Sequence, residues 1–131
     1  MDKMDILLVD DHTAAREELA SIVEAQEEMN VVGQAGNGED GVRLAAELHP
    51  DIVVMDVVMP GMNGLAASRE INASNSHARI LAVSNHTGEN LVEALLEAGV
   101  SGYLRKDRAY EELVPAIRTI ASGTQYIGEH L

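Results

Sequence analysis

Short β-branched and aliphatic runs alternate with amphipathic stretches from one end of the chain to the other. The strand-like runs are Ile6-Leu7-Leu8-Val9, Val31-Val32, Ile52-Val53-Val54-Met55, Ile80-Leu81-Ala82-Val83 and the brief Gly102-Tyr103-Leu104. Several are continuously apolar, the pattern of parallel strands covered on both faces. Helical spacing fills the intervals. Leu19, Ile22 and Val23 mark a first stripe, with Thr13 placed to cap it. Val42, Ala45 and Leu48 mark a second, ending before Pro50, while Leu65 and Ile71 anchor a weaker third. Leu91, Ala94, Leu95 and Ala98 form a fourth, stopped by Gly99. Leu113, Ile117, Ile120 and Ala121 form the fifth, with Pro115 either kinking it or starting it after a separate turn. Five βα units in tandem predict an α/β fold with a doubly wound parallel sheet.

At 131 residues the chain suits one domain with a sizeable core. Tyr103, Tyr110 and Tyr126 are its only aromatics, so aliphatic and Met side chains must fill that core. The absence of cysteine excludes disulfides and thiolate metal sites. No stretch approaches the roughly 18 apolar residues of a membrane span. The N-terminus has no signal-peptide pattern, so a cytoplasmic location is expected. Nine basic against 22 acidic residues give a net charge of −13, unsuited to nucleic acid or membrane surfaces. The one basic cluster, Arg105-Lys106-Asp107-Arg108, is interrupted by an acid and makes no DNA-binding stripe. The tail, Ser122 to Leu131, has turn chemistry and reads as the start of a linker.

Ligands of open α/β sheets sit beyond the carboxyl ends of the strands. Those ends carry Asp10-Asp11, Asp56 and Ser84, with Lys106 after the last strand. Three carboxylates brought together repel one another and call for a counter-charge, most naturally a hard divalent cation such as Mg²⁺. In order and spacing, Asp10-Asp11, the run Asp56-Val57-Val58-Met59-Pro60-Gly61-Met62-Asn63-Gly64, Ser84 and Tyr103-Leu104-Arg105-Lys106 resemble the receiver domain of two-component response regulators. The resemblance covers residues 4–122, and Val83-Ser84-Asn85-His86 is most similar to the NarL/LuxR-type subfamily.

That resemblance implies a CheY-like, flavodoxin-like (βα)5 fold with strand order 2-1-3-4-5. It implies a receiver over residues 1–122 and a linker or tail over 123–131. Asp56 would accept a phosphoryl group from a sensor histidine kinase. Asp10, Asp11, Asp56 and the backbone carbonyl of Val58 would hold Mg²⁺, and Lys106 would pair with Asp56. Ser84 and Tyr103 would form the switch, the ring turning inward as Ser84 moves toward the phosphoryl group. Moving such a switch from 1:99 to 99:1 needs about 5.5 kcal/mol of differential interaction. The domain would be no enzyme beyond assisting its own phosphorylation and dephosphorylation. Homodimerisation on phosphorylation would use the face formed by the first and fifth helices, or that formed by the fourth and fifth. DNA contact would fall to a C-terminal helix-turn-helix outside this chain, the alternative being a stand-alone receiver acting by relay or protein contact.

Two departures stand out. Asn85 is larger than the residue commonly found after the switch serine, and Lys106 precedes Asp107 where proline is common. A cis bond before a non-proline residue costs about 3 kcal/mol, so a trans bond is expected. Val58 and His86 flank the expected path of attacking water.

Competing patterns are weaker. Gly36-Asn37-Gly38-Glu39-Asp40-Gly41 is a literal G-x-G-x-x-G, with Asp56 twenty positions beyond Gly36. Glu39 and Asp40 would, however, set negative charge against a dinucleotide pyrophosphate, and too little chain follows for a full dinucleotide domain. A phosphatase of the haloacid-dehalogenase kind would carry a second acid where Val58 stands. The five histidines show no metal-ligand spacing, and neither G-x-S-x-G nor a P-loop occurs.

Overall fold

The computed structural model describes residues 3–74, 77–85 and 89–128. Strands β1 (Met4–Val9), β2 (Met29–Ala35), β3 (Ile52–Asp56), β4 (Arg79–Ser84) and β5 (Gly102–Arg105) alternate with five helices. These are α1 (Thr13–Glu24), α2 (Gly38–Leu48), α3 (Gly64–Ser74), α4 (Glu89–Glu97) and α5 (Ala109–Ala121). A 3₁₀ turn, Lys106–Arg108, joins β5 to α5, and a short β6 (Tyr126–Ile127) follows. All pairings are parallel, and the order is β2-β1-β3-β4-β5-β6.

The five-strand expectation is therefore corrected to six. Tyr126–Ile127 escaped notice because a two-residue strand shows no periodicity. It is held through the main chain: Gly102 pairs with Tyr126 and Tyr103 with Ile127, and Gly128 N–H donates to the Tyr103 carbonyl at 2.8 Å.

Both faces of the sheet are apolar, which accounts for the continuous runs. Ile6, Leu8, Ile52, Val54, Leu81, Val83 and Leu104 pack with α1 and α5. Leu7, Val9, Val53, Met55, Ile80, Ala82 and Tyr103 pack with α2, α3 and α4. β2 runs well beyond Val31-Val32 because it is an edge strand. With one strand neighbour and a register shift opposite Ile6/Leu7, it tolerates Asn30, Gly33 and Gln34.

The helix ends follow local chemistry, with one correction. Thr13 is the first helical residue of α1, and His12 occupies the cap position without a side-chain cap bond. Asn37 caps α2 by accepting from Asp40 N–H at 2.8 Å, and Asn63 caps α3 by accepting from Ala66 N–H at 2.9 Å. Gly99 closes α4 at φ +95 with the paired bonds Gly99 N–H to Leu96 O and Val100 N–H to Leu95 O. Pro115 lies inside α5 on its exposed side, where water can take the Glu111 carbonyl that lacks an amide partner.

The glycine-rich turn has a packing role. A β-carbon on Gly38 would collide with the main-chain carbonyl of Met62, and one on Gly41 would lie 3.0 Å from both methyls of Val9. Gly36 meets only the Arg16 guanidinium at 3.4 Å. Gly38→Ala should therefore cost about 1–3 kcal/mol through backbone displacement, and Gly36→Ala less than about 0.5 kcal/mol. Urea unfolding of the two variants checks this, and equal costs would contradict it.

Candidate functional site

Asp10, Asp11 and Asp56 stand where β1 and β3 run out of the sheet, so strand pairing alone brings them together. Asp10 and Asp56 are buried, each 4% exposed, and Asp11 is partly so. Lys106, first residue of the turn after β5, reaches across with its ammonium 3.3 Å from Asp10 Oδ2 and 3.4 Å from Asp56 Oδ2. One flexible cation thus spans two buried acids. Ser84 is fully buried at the end of β4 beside Arg105 of β5.

The electrostatic balance is unfavourable to charge on Asp56. Burial and the neighbouring Asp10 carboxylate push its pKa from 3.8 up to about 7, against the pull of Lys106. Asp11 Oδ1 is buried and has no hydrogen-bond partner among the described residues. A hard cation would satisfy that oxygen and relieve the crowding, so these side chains fit Mg²⁺.

Two residues of the site carried no recognisable signal in the sequence. The His12 imidazole Nδ1 lies 3.4 Å from Asp10 Oδ1 and 3.4 Å from Asp11 Oδ1, and it joins the three acids in a set of donors mutually within 4.8 Å. Its backbone N–H donates to Asp10 Oδ1 at 2.9 Å. Arg16, one turn into α1, donates to the Asp10 main-chain carbonyl at 2.7 Å and to Gln34 Oε1 at 2.9 Å. It thereby ties the β1–α1 turn to the edge strand. Only the i, i+4 spacing of His12 and Arg16 on a helix start could have hinted that both face the acids.

Tyr103 is 1% exposed, and its ring packs in the α3/α4 core. The ring therefore points inward, into the core, in this structure. Burial pushes its hydroxyl pKa up. Val58 lies at the surface, 54% exposed, next to a groove of about 380 Å³ lined by Val57, Met59, Leu65 and Leu91. Asn85 is exposed at the end of β4, and the Lys106–Asp107 bond is trans. His86 lies outside the described residues.

Fold and acidic pocket together define a receiver-type α/β domain. The family model for the response regulator receiver domain matches residues 6–118, and the chain belongs to that family. It is 40% identical over 118 residues to the transcriptional regulatory protein LiaR of Bacillus subtilis, covering 90% of this chain and 56% of LiaR. It is 39% identical over 128 residues to the response regulator UvrY of Escherichia coli, covering 98% and 59%. The chain thus spans somewhat over half the length of these curated relatives. A LuxR-family response regulator from Aurantimonas superposes with a TM-score of 0.91 at 38% identity, covering 95% of this chain and 89% of that one. The receiver domain of NarL from Mycobacterium tuberculosis gives 0.89 at 30% identity, covering 94% and 99%. The chain is a receiver domain of the NarL/LuxR type, the kind that histidine kinases phosphorylate. Receiver domains bind Mg²⁺ at an acidic pocket. Among the described residues no helix is long and apolar enough to cross a membrane.

Two stability measurements follow. An acid whose folded pKa is raised holds its proton in the folded state after the unfolded chain has lost it. Its destabilising effect is absent below pH 3.8, grows through the interval to about 7, and is complete above it. In chelator, Asp56→Asn should therefore exceed the parent in stability by on the order of 2 kcal/mol at pH 8, with the gap closing toward pH 4. Urea unfolding at several pH values reads this, and a gap independent of pH would contradict it. Tyr103→Ala should cost about 3 kcal/mol or more by the same method, as emptying a buried aromatic site does; a loss under 1 kcal/mol would mean the ring is not a core residue.

Proposed function

We propose that Asp56 is the phosphoacceptor of this receiver and that Asp10, Asp11 and Lys106 serve its chemistry. The observation that carries the reading is the Lys106 ammonium bridging Asp10 and Asp56 in one buried pocket. An oxygen of Asp56 forms a bond to phosphorus as the bond from phosphorus to the donor imidazole breaks, and the freed imidazole takes a proton. The donor phosphate is anionic, so the barrier is largely electrostatic. Lys106 moves from the carboxylate toward the incoming oxygens and offsets their charge.

Asp10, Asp11, Asp56 and the Val58 carbonyl would hold Mg²⁺, which when bound adds a second positive charge at the same place. Ser84, buried one strand from Asp56, supplies a hydroxyl able to donate to a phosphoryl oxygen. The shift of Ser84 and the inward seat of Tyr103 then form two ends of one packed β4–β5 pair. Val58 and Asn85, both exposed, stand where they can tune access of water to the aspartyl phosphate.

Residues 1–122 form the body of the receiver in this reading, and 123–131 lead toward an output segment after Tyr126–Ile127 have paired with β5. That segment is a DNA-binding helix-turn-helix, as the transcriptional role named for LiaR and the partial coverage of the relatives suggest. Phosphorylation in the cytoplasm by a sensor histidine kinase, followed by self-association, completes the circuit. A stand-alone receiver acting through protein contact remains the alternative, and no observation on the fold favours it.

Incubation with Mg²⁺ and acetyl phosphate, followed by intact-mass measurement, tests the assignment. The parent chain should gain one phosphoryl group. Asp56→Asn should gain none, and Lys106→Ala should react at least tenfold more slowly. Undiminished labelling of Asp56→Asn would refute the role of Asp56.

A further inference from the structure

The geometry points to His12 as a nitrogen ligand that opens the acidic pocket to late first-row divalent ions, Zn²⁺ above all; this rests on the reading of the pocket as a metal site. Nothing in the phosphoacceptor chemistry uses this imidazole. It nevertheless sits over the mouth of the pocket, its side chain 66% exposed, with Nδ1 turned toward the acids. Nδ1 is 3.4 Å from Asp10 Oδ1, 3.4 Å from Asp11 Oδ1 and 3.4 Å from Lys106 Nζ. All three separations lie beyond the usual range of a good hydrogen bond, so none satisfies the nitrogen well.

The same separations suit a shared ion. Donors on one tetrahedral ion with bonds of about 2.0–2.1 Å stand about 3.3–3.4 Å apart. Around an octahedral ion with bonds of that length, neighbouring donors stand about 3.0 Å apart. The His12–Asp10 and His12–Asp11 separations match the tetrahedral edge. Asp56 adds a third carboxylate: the four donor atoms lie within 4.8 Å of one another, so the set closes on an ion after small side-chain movements.

Donor chemistry separates the ions in the same direction. Mg²⁺ takes oxygen and keeps several waters, so an imidazole gives it little. Zn²⁺, Co²⁺ and Ni²⁺ bind imidazole well. Position is also secured: the His12 main chain is fixed by its N–H bond to Asp10 Oδ1 and by its place at the head of α1. Lys106 carries its ammonium on a flexible stem and can withdraw as the ion enters.

Equilibrium dialysis of the metal-free chain against Zn²⁺ and Mg²⁺ gives the ratio of the two affinities. In His12→Ala the preference for Zn²⁺ over Mg²⁺ should fall at least tenfold. ¹⁵N-imidazole spectra of the unaltered chain supply a readout independent of that variant's folding: Zn²⁺ should displace the His12 Nδ1 resonance, and Mg²⁺ should not. An unchanged ratio in folded His12→Ala, or Zn²⁺ shifts confined to other histidines, overturns the role of His12 while leaving the Mg²⁺ reading intact. Failure of the unaltered chain to bind either ion overturns both.

Discussion

Three carboxylates crowded around one ammonium set the terms for the rest of this molecule. Two of them, Asp10 and Asp56, are buried, and among the described residues Lys106 alone stands within ion-pair reach of both. Such an arrangement would fly apart on a pliant support. It is held because the acids ride on β1 and β3, adjacent parallel strands whose interior residues are almost wholly excluded from water. Hydrophobic burial on both faces of the sheet thus underwrites a repulsive site at its edge. A pocket built this way favours any ligand that brings positive charge, and it raises the proton affinity of Asp56 until one arrives.

The supports around the pocket share a theme of main-chain contact. Arg16 grips the Asp10 carbonyl, the His12 amide grips the Asp10 carboxylate, and α2 meets the β3–α3 loop at Gly38 with no room for a side chain. A β-carbon at Gly64 would likewise strike the Asp56 carbonyl, so α3 starts directly against the backbone of Asp56. Gly64 thus lets α3 approach Asp56 without a cavity, while Gly38 does the same for α2 and the loop that follows β3.

Much of this was readable from residue order. The strand runs were plain because double burial makes them uniformly apolar, and the acids were plain because strand ends are where α/β sheets place chemistry. β2 was read short because an edge strand needs no unbroken apolar run. β6 was missed because its hold is through peptide groups, which leave no mark on side-chain choice. The dinucleotide-like glycines were already set aside on charge and chain length, and three dimensions added their packing role, with Gly38 and Gly41 admitting Met62 and Val9. His12 and Arg16 were passed over because a lone histidine and a lone arginine are ordinary surface residues until their neighbours are known.

The pairing of β6 with β5 gives the chain a built-in optical reporter. It has no tryptophan and three tyrosines, so its near-ultraviolet absorption and emission belong to Tyr103, Tyr110 and Tyr126 alone. Tyr103 lies in the core on β5, Tyr126 occupies the adjoining strand with its hydroxyl donating to Glu112 at 2.6 Å, and Tyr110 stands in solvent on α5. Two of the three chromophores thus sit on β5 and its immediate neighbour. Rearrangement there registers in the intrinsic spectrum, with no label to perturb the sheet.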